Sequence, residues 1–506
     1  MKKFKAASVF SSNMVLQRDK NIAVFGYGEN GKIVTVNFCG FTKTTKVKYG
    51  KWMTTLPAMK AGGPYEMTVS CEGEIYRFDN VMIGEVWLAG GQSNMEFELQ
   101  NCTGGADYLK NDKGVNVRFY YTQKKCMTDE DFIECEEKMV WKEFDEESAK
   151  CWSAVGYFFA KELSEKLGVT VGIIGCNWGG TSASHWMSRT AISDDIDTRI
   201  YMDEYDRAIA GKSDEQLLCE YREYEAYHNE WNRKSAEYYS KTENATWGGC
   251  LEYCGPCKYP GPLCPANPYH PTGLYESMLM RVCPYTLKGF IYYQGESDDH
   301  RPEMYYKLFR NLIGNWRSEW GDNELPFIFA QLPMHRYEAD EDRKHWCILR
   351  EAQMKVYETV KNTGVAVIID CGEFNEIHPK DKLPVGHRMY LQAMKHFYGE
   401  DSIDAFGPLF DYATEKDDEM TISFKYADNG FTVKGDRISG FEVAGEDKMY
   451  YEADAVINAD NTITVKSEKV KEPVYARYLW TNYSEVVLFG ANGIPVAPFR
   501  TSTQDK

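Results

Sequence analysis

Hydrophobic and polar positions change rhythm twice along this chain. Up to about residue 80, short segments such as Ile33-Val34-Thr35-Val36-Asn37-Phe38 and Glu66-Met67-Thr68-Val69 alternate apolar with polar side chains. Turns such as Gly26-Tyr27-Gly28 and Gly62-Gly63-Pro64 separate them. Period-two alternation marks strands with one buried face, so residues 1–80 are predicted to form a small antiparallel β-sandwich. Over 81–400, short apolar runs alternate with amphipathic helical stretches. That pattern predicts an α/β domain, a parallel sheet with helices on both faces. Helices are expected at 153–167, 304–319, 346–361 and 382–397, with an acidic, tyrosine-rich helical insertion at about 195–270. Residues 401–506 return to alternation, as in Thr462-Ile463-Thr464-Val465 and Glu485-Val486-Val487-Leu488-Phe489, and predict a second β domain.

Ligands of open parallel sheets bind beyond the carboxyl ends of the strands, so the residues just after each apolar run matter most. Glu85-Val86-Trp87-Leu88-Ala89 leads into Gly90-Gly91-Gln92-Ser93-Asn94-Met95, and Val169 to Gly175 leads to Asn177-Trp178-Gly179-Gly180-Thr181. Gly289 to Tyr293 leads to Gln294-Gly295-Glu296-Ser297, Pro326 to Gln331 ends near His335, and Gly364 to Asp370 leads to His378-Pro379. Residues capable of chemistry recur at one end of the expected sheet.

Composition narrows the function classes. The 506 residues carry 58 basic and 76 acidic side chains, a net charge of −18. Such a surface repels nucleic-acid backbones and anionic lipid. No apolar run reaches the 18 residues of a membrane span. The basic start Met1-Lys2-Lys3 is followed by polar interruptions at Ser8, Ser11, Ser12, Asn13 and Gln17, and fifteen scattered cysteines suit reduced thiols. A cytoplasmic chain without nucleic-acid or membrane partners is expected, and its sequons at Asn244 and Asn482 are expected to be idle. Nothing in the composition fixes an oligomeric state.

Glycines before Ser93 permit a sharp turn that exposes its Oγ and aims its N–H the same way. Gly179-Gly180 adds a second bare N–H, and the Gln294 amide can donate to the same oxygen. Two or three fixed donors make an oxyanion hole. The base is expected to be a histidine. His378 follows the last strand, His335 is the runner-up, and His185 lies just beyond the glycine pair.

The chain resembles the sialate O-acetylesterase family of SGNH serine hydrolases almost end to end. The blocks are Ser12-Asn13-Met14-Val15-Leu16-Gln17-Arg18-Asp19, Leu56 to Tyr65, Val86 to Glu96, and Trp178-Gly179-Gly180-Thr181 with Trp186-Met187-Ser188-Arg189. They continue with Tyr293-Gln294-Gly295-Glu296-Ser297, Ile377-His378-Pro379-Lys380-Asp381-Lys382 with Val385-Gly386, and Pro498-Phe499-Arg500-Thr501. The resemblance implies a flavodoxin-like three-layer hydrolase domain flanked by β-sandwich domains. It further implies Ser93 as nucleophile, His378 as base, and the N–H of Ser93, the N–H of Gly180 and Gln294 as oxyanion donors. No metal or organic cofactor is implied. The implied partner is a small acetylated sugar or oligosaccharide, either sialate or a xylan or mannan fragment. Asn94, Trp186, Arg189, Glu296 and Arg301 are the candidate substrate contacts.

Two departures stand out. Asn375 occupies the position three before the histidine where many SGNH hydrolases carry aspartate. Glu376, Asp370, Glu373 or a backbone carbonyl is left to orient the imidazole, with Glu376 the chosen candidate. Asp298 replaces a frequent asparagine, with Arg301 as a possible partner. Other readings remain open. Cys250, Cys254, Cys257 and Cys264 form a simple loop, a structural zinc site or, from the spacing of the first three, an iron–sulfur site. Glu296 either holds the loop around Gln294 or pairs with Asp370 as in a glycosidase. The flanking β domains alone suit a non-catalytic carbohydrate-binding protein. The insertion is either a solvated helix at the sheet edge or a lid that narrows the cleft with its aromatic rings.

Overall fold

A computed structural model describes residues 4–243 and 245–502, so Asn244 lies outside the described residues. Six strands frame the middle of the molecule: β1 (Glu74–Gly91), β2 (Val117–Tyr121), β3 (Val171–Asn177), β4 (Gly289–Tyr293), β5 (Phe327–Gln331) and β6 (Thr363–Val367). Their spatial order is β2-β3-β1-β4-β5-β6, every neighbouring pair parallel, with the short antiparallel strand Lys142–Glu143 beyond β2. The chain leaves β1 toward one side for β2 and β3, then returns to the other side for β4 to β6. The order therefore reverses at β1, where open parallel sheets hold ligands.

Central position explains the composition of β1. Val86, Trp87, Leu88 and Ala89 are all fully buried, and a strand covered on both faces needs a continuous apolar run rather than alternation. Register then sets the site. Gly91 pairs with Asn177 of β3 on one side and with Tyr293 of β4 on the other. The three turns that follow these residues are thereby brought abreast.

The first half of β1 belongs to a different environment. It pairs antiparallel with Gly62–Cys71, while Val15–Gln17 lies parallel beside Met82–Gly84. The strand thus runs without interruption across positions 80 and 81. Buried Glu85 ties this seam: it accepts from Arg18 Nε at 2.5 Å and Gln17 Nε2 at 3.1 Å. A second small sheet joins Lys5–Ala6, Ile22–Tyr27 and Lys51–Leu56. At the other end, Leu409–Lys416, Glu419–Lys425, Ile463–Lys466 and Asp454–Ile457 form one four-stranded sheet. Tyr451–Glu452, Phe441–Ala444, Tyr475–Tyr478 and Phe499–Arg500 form another. Arg500 grips Glu351 through two hydrogen bonds of 2.7 and 2.8 Å, which docks this end on the middle of the molecule. The whole is a mixed α/β protein with a large central sheet and flanking β regions.

Seven helices bear on the site: α1 (Ser93–Glu96), α2 (Ala154–Leu167), α3 (Asp214–Lys241), α4 (Trp247–Cys254), α5 (Tyr305–Glu319), α6 (His345–Thr359) and α7 (Leu383–Phe397). Their ends follow the chain's capping residues. Ser153 accepts the Gly156 N–H at the start of α2, and Gly168, with φ 64°, ends it. Two elements differ from the sequence pattern. Strand β2 is absent from the expected runs, because Arg118 interrupts its apolar stretch. The last strand stops at Val367, short of Asp370, because Ile369–Cys371 turns to bring Asp370 against Arg388 of α7.

The four clustered cysteines do not converge. Cys250 and Cys254 lie one turn apart on α4 with sulfurs 3.7 Å apart, while Cys264 packs separately with Leu217 and Tyr221. Among the described residues no group of three or more metal-ligating side chains comes together.

Candidate active site

The turn after β1 carries Ser93. Gly91 has φ 132°, and a Cβ there would lie 2.1 Å from the Tyr293 carbonyl oxygen, so only glycine lets β1 turn this close to β4. The Gln92 N–H donates to that same oxygen at 3.0 Å, which fixes the turn. Ser93 then opens α1 as its first residue, and among the described residues no protein group accepts its N–H. Its Oγ lies 2.8 Å from His378 Nε2, across 285 positions of sequence.

The turn after β3 supplies Gly179 and Gly180. The Gly179 N–H is already committed to Glu96 Oε2 at 2.7 Å, and Lys124 holds the other oxygen of that carboxylate. Gly180 is different. Its φ is 73°, no described protein group accepts its N–H, and a Cβ would lie 2.1 Å from the Tyr259 hydroxyl. Ser93, Gly180 and His378 line one cleft of about 520 Å³ together with Trp178, Tyr259, Tyr269, Ser297 and Ile377. A carbonyl seated at Ser93 there meets a nucleophile, a base and free amide hydrogens, which is the equipment of acyl transfer.

The expected third donor needs correction. Gln294 is buried, and its amide donates to the Thr181 carbonyl at 3.1 Å and to Asp298 Oδ2 at 2.6 Å. With both amide protons engaged, Gln294 braces the turn after β3 instead of facing the cleft. Asp298 does the same. It is wholly buried, accepts from Ser182 Oγ at 2.6 Å and the Ala183 N–H at 2.9 Å, and does not pair with Arg301. Burial raises its pKa.

The orientation of His378 is loosely determined. Glu376 Oε1 accepts the His378 backbone N–H at 2.8 Å and lies 3.8 Å from its Nδ1, within ion-pair range but beyond a hydrogen bond. Asp370 is bound by Arg388 at 2.5 and 2.8 Å. Glu373 accepts the Lys380 N–H at 3.4 Å, and Asn375 accepts from Glu338. Burial lowers the His378 pKa, Glu376 opposes that shift, Lys382 adds to it and Glu96 opposes it. The competing histidines are elsewhere. His335 packs against Tyr337 and Trp346, and His185, buried, has its pKa pushed down to about 3 by desolvation and by His270 and His300.

Among the expected substrate contacts, three are corrected. Asn94 is fully engaged: Nδ2 donates to Glu296 Oε1 at 2.7 Å and to the Ile377 carbonyl at 2.9 Å, and Oδ1 accepts from Lys382 Nζ at 2.6 Å. Trp186 is buried, with its Nε1 on Thr181 Oγ1 at 3.0 Å. Arg189 is exposed and paired with Asp206, and it lines no part of the cleft. Glu296 lines the cleft wall while bonded to Asn94, and burial raises its pKa. With Glu296 held by Asn94 and Asp370 by Arg388, the two do not form a free carboxylate pair.

Arg301 lines a second cavity of about 490 Å³ that shares Gly180, Tyr259, Tyr269 and Ser297 with the first. There it is bonded to Glu204 at 2.5 Å. Sequence reasoning missed Tyr259 and Tyr269 as cleft walls. They come from the segment after α4, where turn residues such as Pro260 and Gly261 hide any periodicity. It also missed Glu96 and Lys382, although both stand inside the motif blocks that carry the resemblance.

Comparison with known proteins fits this geometry. Residues 266–388 match the family model described as carbohydrate esterase, sialic acid-specific acetylesterase. A mouse sialate O-acetylesterase is 26% identical over 450 residues, covering 80% of this chain and 76% of that protein. The human sialate O-acetylesterase is 26% identical over 442 residues, covering 80% of this chain and 73% of its own. In three dimensions, a carbohydrate acetylesterase from Xanthomonas citri superposes with a TM-score of 0.79 at 29% identity, over 99% of this chain and all of that one. On these matches the chain is similar to the sialate O-acetylesterases over most of its length, and it is a carboxylic ester hydrolase.

Proposed function

We propose that this protein removes O-acetyl groups from carbohydrates through an acetyl-enzyme on Ser93, within a flavodoxin-like three-layer hydrolase domain. One observation carries the mechanism: the 2.8 Å contact between Ser93 Oγ and His378 Nε2, made in a cleft that also holds two unpaired amide hydrogens. His378 takes the Ser93 proton as Oγ bonds to the acetyl carbonyl carbon. The carbonyl oxygen becomes an oxyanion facing the N–H groups of Ser93 and Gly180. Collapse breaks the bond to the sugar oxygen, which receives the proton from His378. Water then attacks the acetyl-serine while His378 accepts one of its protons and returns it to Ser93 Oγ as the acyl bond breaks; the acetic acid released gives its remaining proton to solvent.

The substrate class rests on charge. A sialate brings a carboxylate and calls for an unpaired cation near the cleft. Arg301 is matched by Glu204, and Arg189 by Asp206 outside the cleft. Tyr259 and Tyr269 meanwhile give the cleft aromatic walls without charge. That pairing favours neutral acetylated sugars, such as xylan or mannan oligosaccharides, over acetylated sialate as the preferred substrate. Acetate release from an aryl acetate should fall by about a thousandfold or more in Ser93→Ala, with an unchanged melting temperature. Full activity in that variant would remove the mechanism. Acetate release from a panel of acetylated sialic acids, xylo-oligosaccharides and manno-oligosaccharides then decides the sugar. Faster turnover of the sialates would overturn the neutral-sugar preference alone.

A further inference from the structure

Lys382 is an improbable residue where it stands. It occupies the N-cap position of α7, where short polar side chains are favoured and the helix dipole disfavours a cation. Its side chain does not cap the helix, and it is 1% exposed. Burying an ammonium is costly unless it is compensated, yet no carboxylate lies within ion-pair distance of Nζ among the described residues. Its single hydrogen bond is to Asn94 Oδ1 at 2.6 Å, and the rings of Phe97 and Tyr293 lie 4.8 and 5.7 Å away.

The charge is balanced through Asn94. An ammonium only donates and a carboxylate only accepts, so a carboxamide between Lys382 and Glu296 has one possible orientation. The remaining Nδ2 proton is then aimed at the Ile377 carbonyl, 2.9 Å away. Asn94 directly follows the proposed nucleophile and Ile377 directly precedes the proposed base. One amide thus joins the two backbone segments that must stay in register, and Lys382 and Glu296 fix which way that amide points.

We propose that Lys382 is a positioning residue for ester hydrolysis, its buried ammonium locking Asn94 so that the Ser93 turn and the His378 loop are held together. The proposal rests on the Ser93–His378 mechanism above. It has an electrostatic consequence as well. Burial pulls the Lys382 pKa down to about 8, with Glu296 opposing the shift, so the group is charged near neutral pH. The charged groups acting on the imidazole are Glu376 on its own loop, Glu96 at the end of α1, Lys382 before α7 and, when protonated, His335 after β5. Lys382 disfavours imidazolium and so helps to keep the base unprotonated.

The test uses the full chain and compares Lys382→Met with the double variant Lys382→Met/Glu296→Gln. The single variant leaves Glu296 uncompensated and should lower both the melting temperature and kcat/KM, the latter about ten- to a hundredfold. It should also move the acidic limb of the pH profile upward by about half a pH unit. The double variant removes both buried charges. It should recover the melting temperature while both kinetic changes persist. Recovery of rate and limb together with the melting temperature would make Lys382 merely structural and overturn the proposal, as would an unmoved limb in the single variant. A fluorophosphonate probe separates the two levels. If wild type is labelled elsewhere than at Ser93, the underlying mechanism fails, whereas labelling at Ser93 leaves the variants to judge Lys382.

Discussion

His378 is asked to be neutral at working pH, and its surroundings lean that way. Because burial lowers its pKa from the ordinary value of about 6.5, the acidic limb of kcat/KM should be centred below that value, with a plateau above it. Glu376 works in the opposite sense, favouring imidazolium. Glu376→Gln should therefore shift the limb to lower pH. Its Nδ1 distance of 3.8 Å is too long for the tight buried bond of a full triad. The rate loss should be nearer tenfold than the roughly 10⁴-fold seen on removal of a bound triad aspartate. A loss of that larger size, with the limb unmoved, would show Glu376 bonded to the imidazole during turnover.

Register does at the level of elements what no single residue does. Gly91, Asn177 and Tyr293 end three adjacent strands at one level, so the turns that follow them share a cleft. The His378 loop is anchored differently, by the Asp370–Arg388 pair that fastens the end of β6 to α7. Asp370→Asn should cost about 3 kcal/mol of stability, the lower end for breaking a largely buried pair, measured by denaturant unfolding. The acidic limb should stay where it is, since Asp370 does not contact His378. A shifted limb without loss of stability would instead return Asp370 to the role of orienter.

Much of this level was legible in the sequence. Unalternated apolar runs marked the central strands, amphipathic stretches between them located α2, α5, α6 and α7, and glycine pairs after β1 and β3 marked the cleft. The features that were not legible depend on partners distant in the chain. Gln294 and Asn94 have the chemistry of donors to substrate, but whether an amide faces the cleft or a buried Asp298, Glu296 or Lys382 is decided only by packing. Trp186 likewise stands as a candidate substrate contact until its burial is seen. Strand β2 carries Arg118, whose guanidinium is absorbed by the carbonyls of Asn13 and Asn80 and by Glu143. No local pattern announces that compensation.

Across the whole molecule, an acidic chain would meet an anionic substrate as a local problem, and the cavity beside the cleft offers one arginine, Arg301, already matched by Glu204. The segment from 195 to 270 contributes Glu204, Tyr259 and Tyr269 to the second cavity, so it is expected to govern sugar choice more than chemistry. Glu204→Gln leaves Arg301 unmatched. Relative kcat/KM for acetylated sialate over acetylated xylo-oligosaccharide should rise about tenfold, the scale of one exposed charge interaction gained near a substrate anion. Activity on an aryl acetate should stay within about twofold of wild type. An unchanged sugar preference would mean that the second cavity does not hold the substrate.

The most direct measurement is rapid-quench mass spectrometry of the full chain mixed with an excess of aryl acetate, followed by peptide mapping. One acetyl group per molecule should appear on Ser93 within the first turnover, and it should fail to form in His378→Ala. Turnover with no acetylated enzyme at any time, together with undiminished acetate release by Ser93→Ala, would contradict nucleophilic catalysis by this serine.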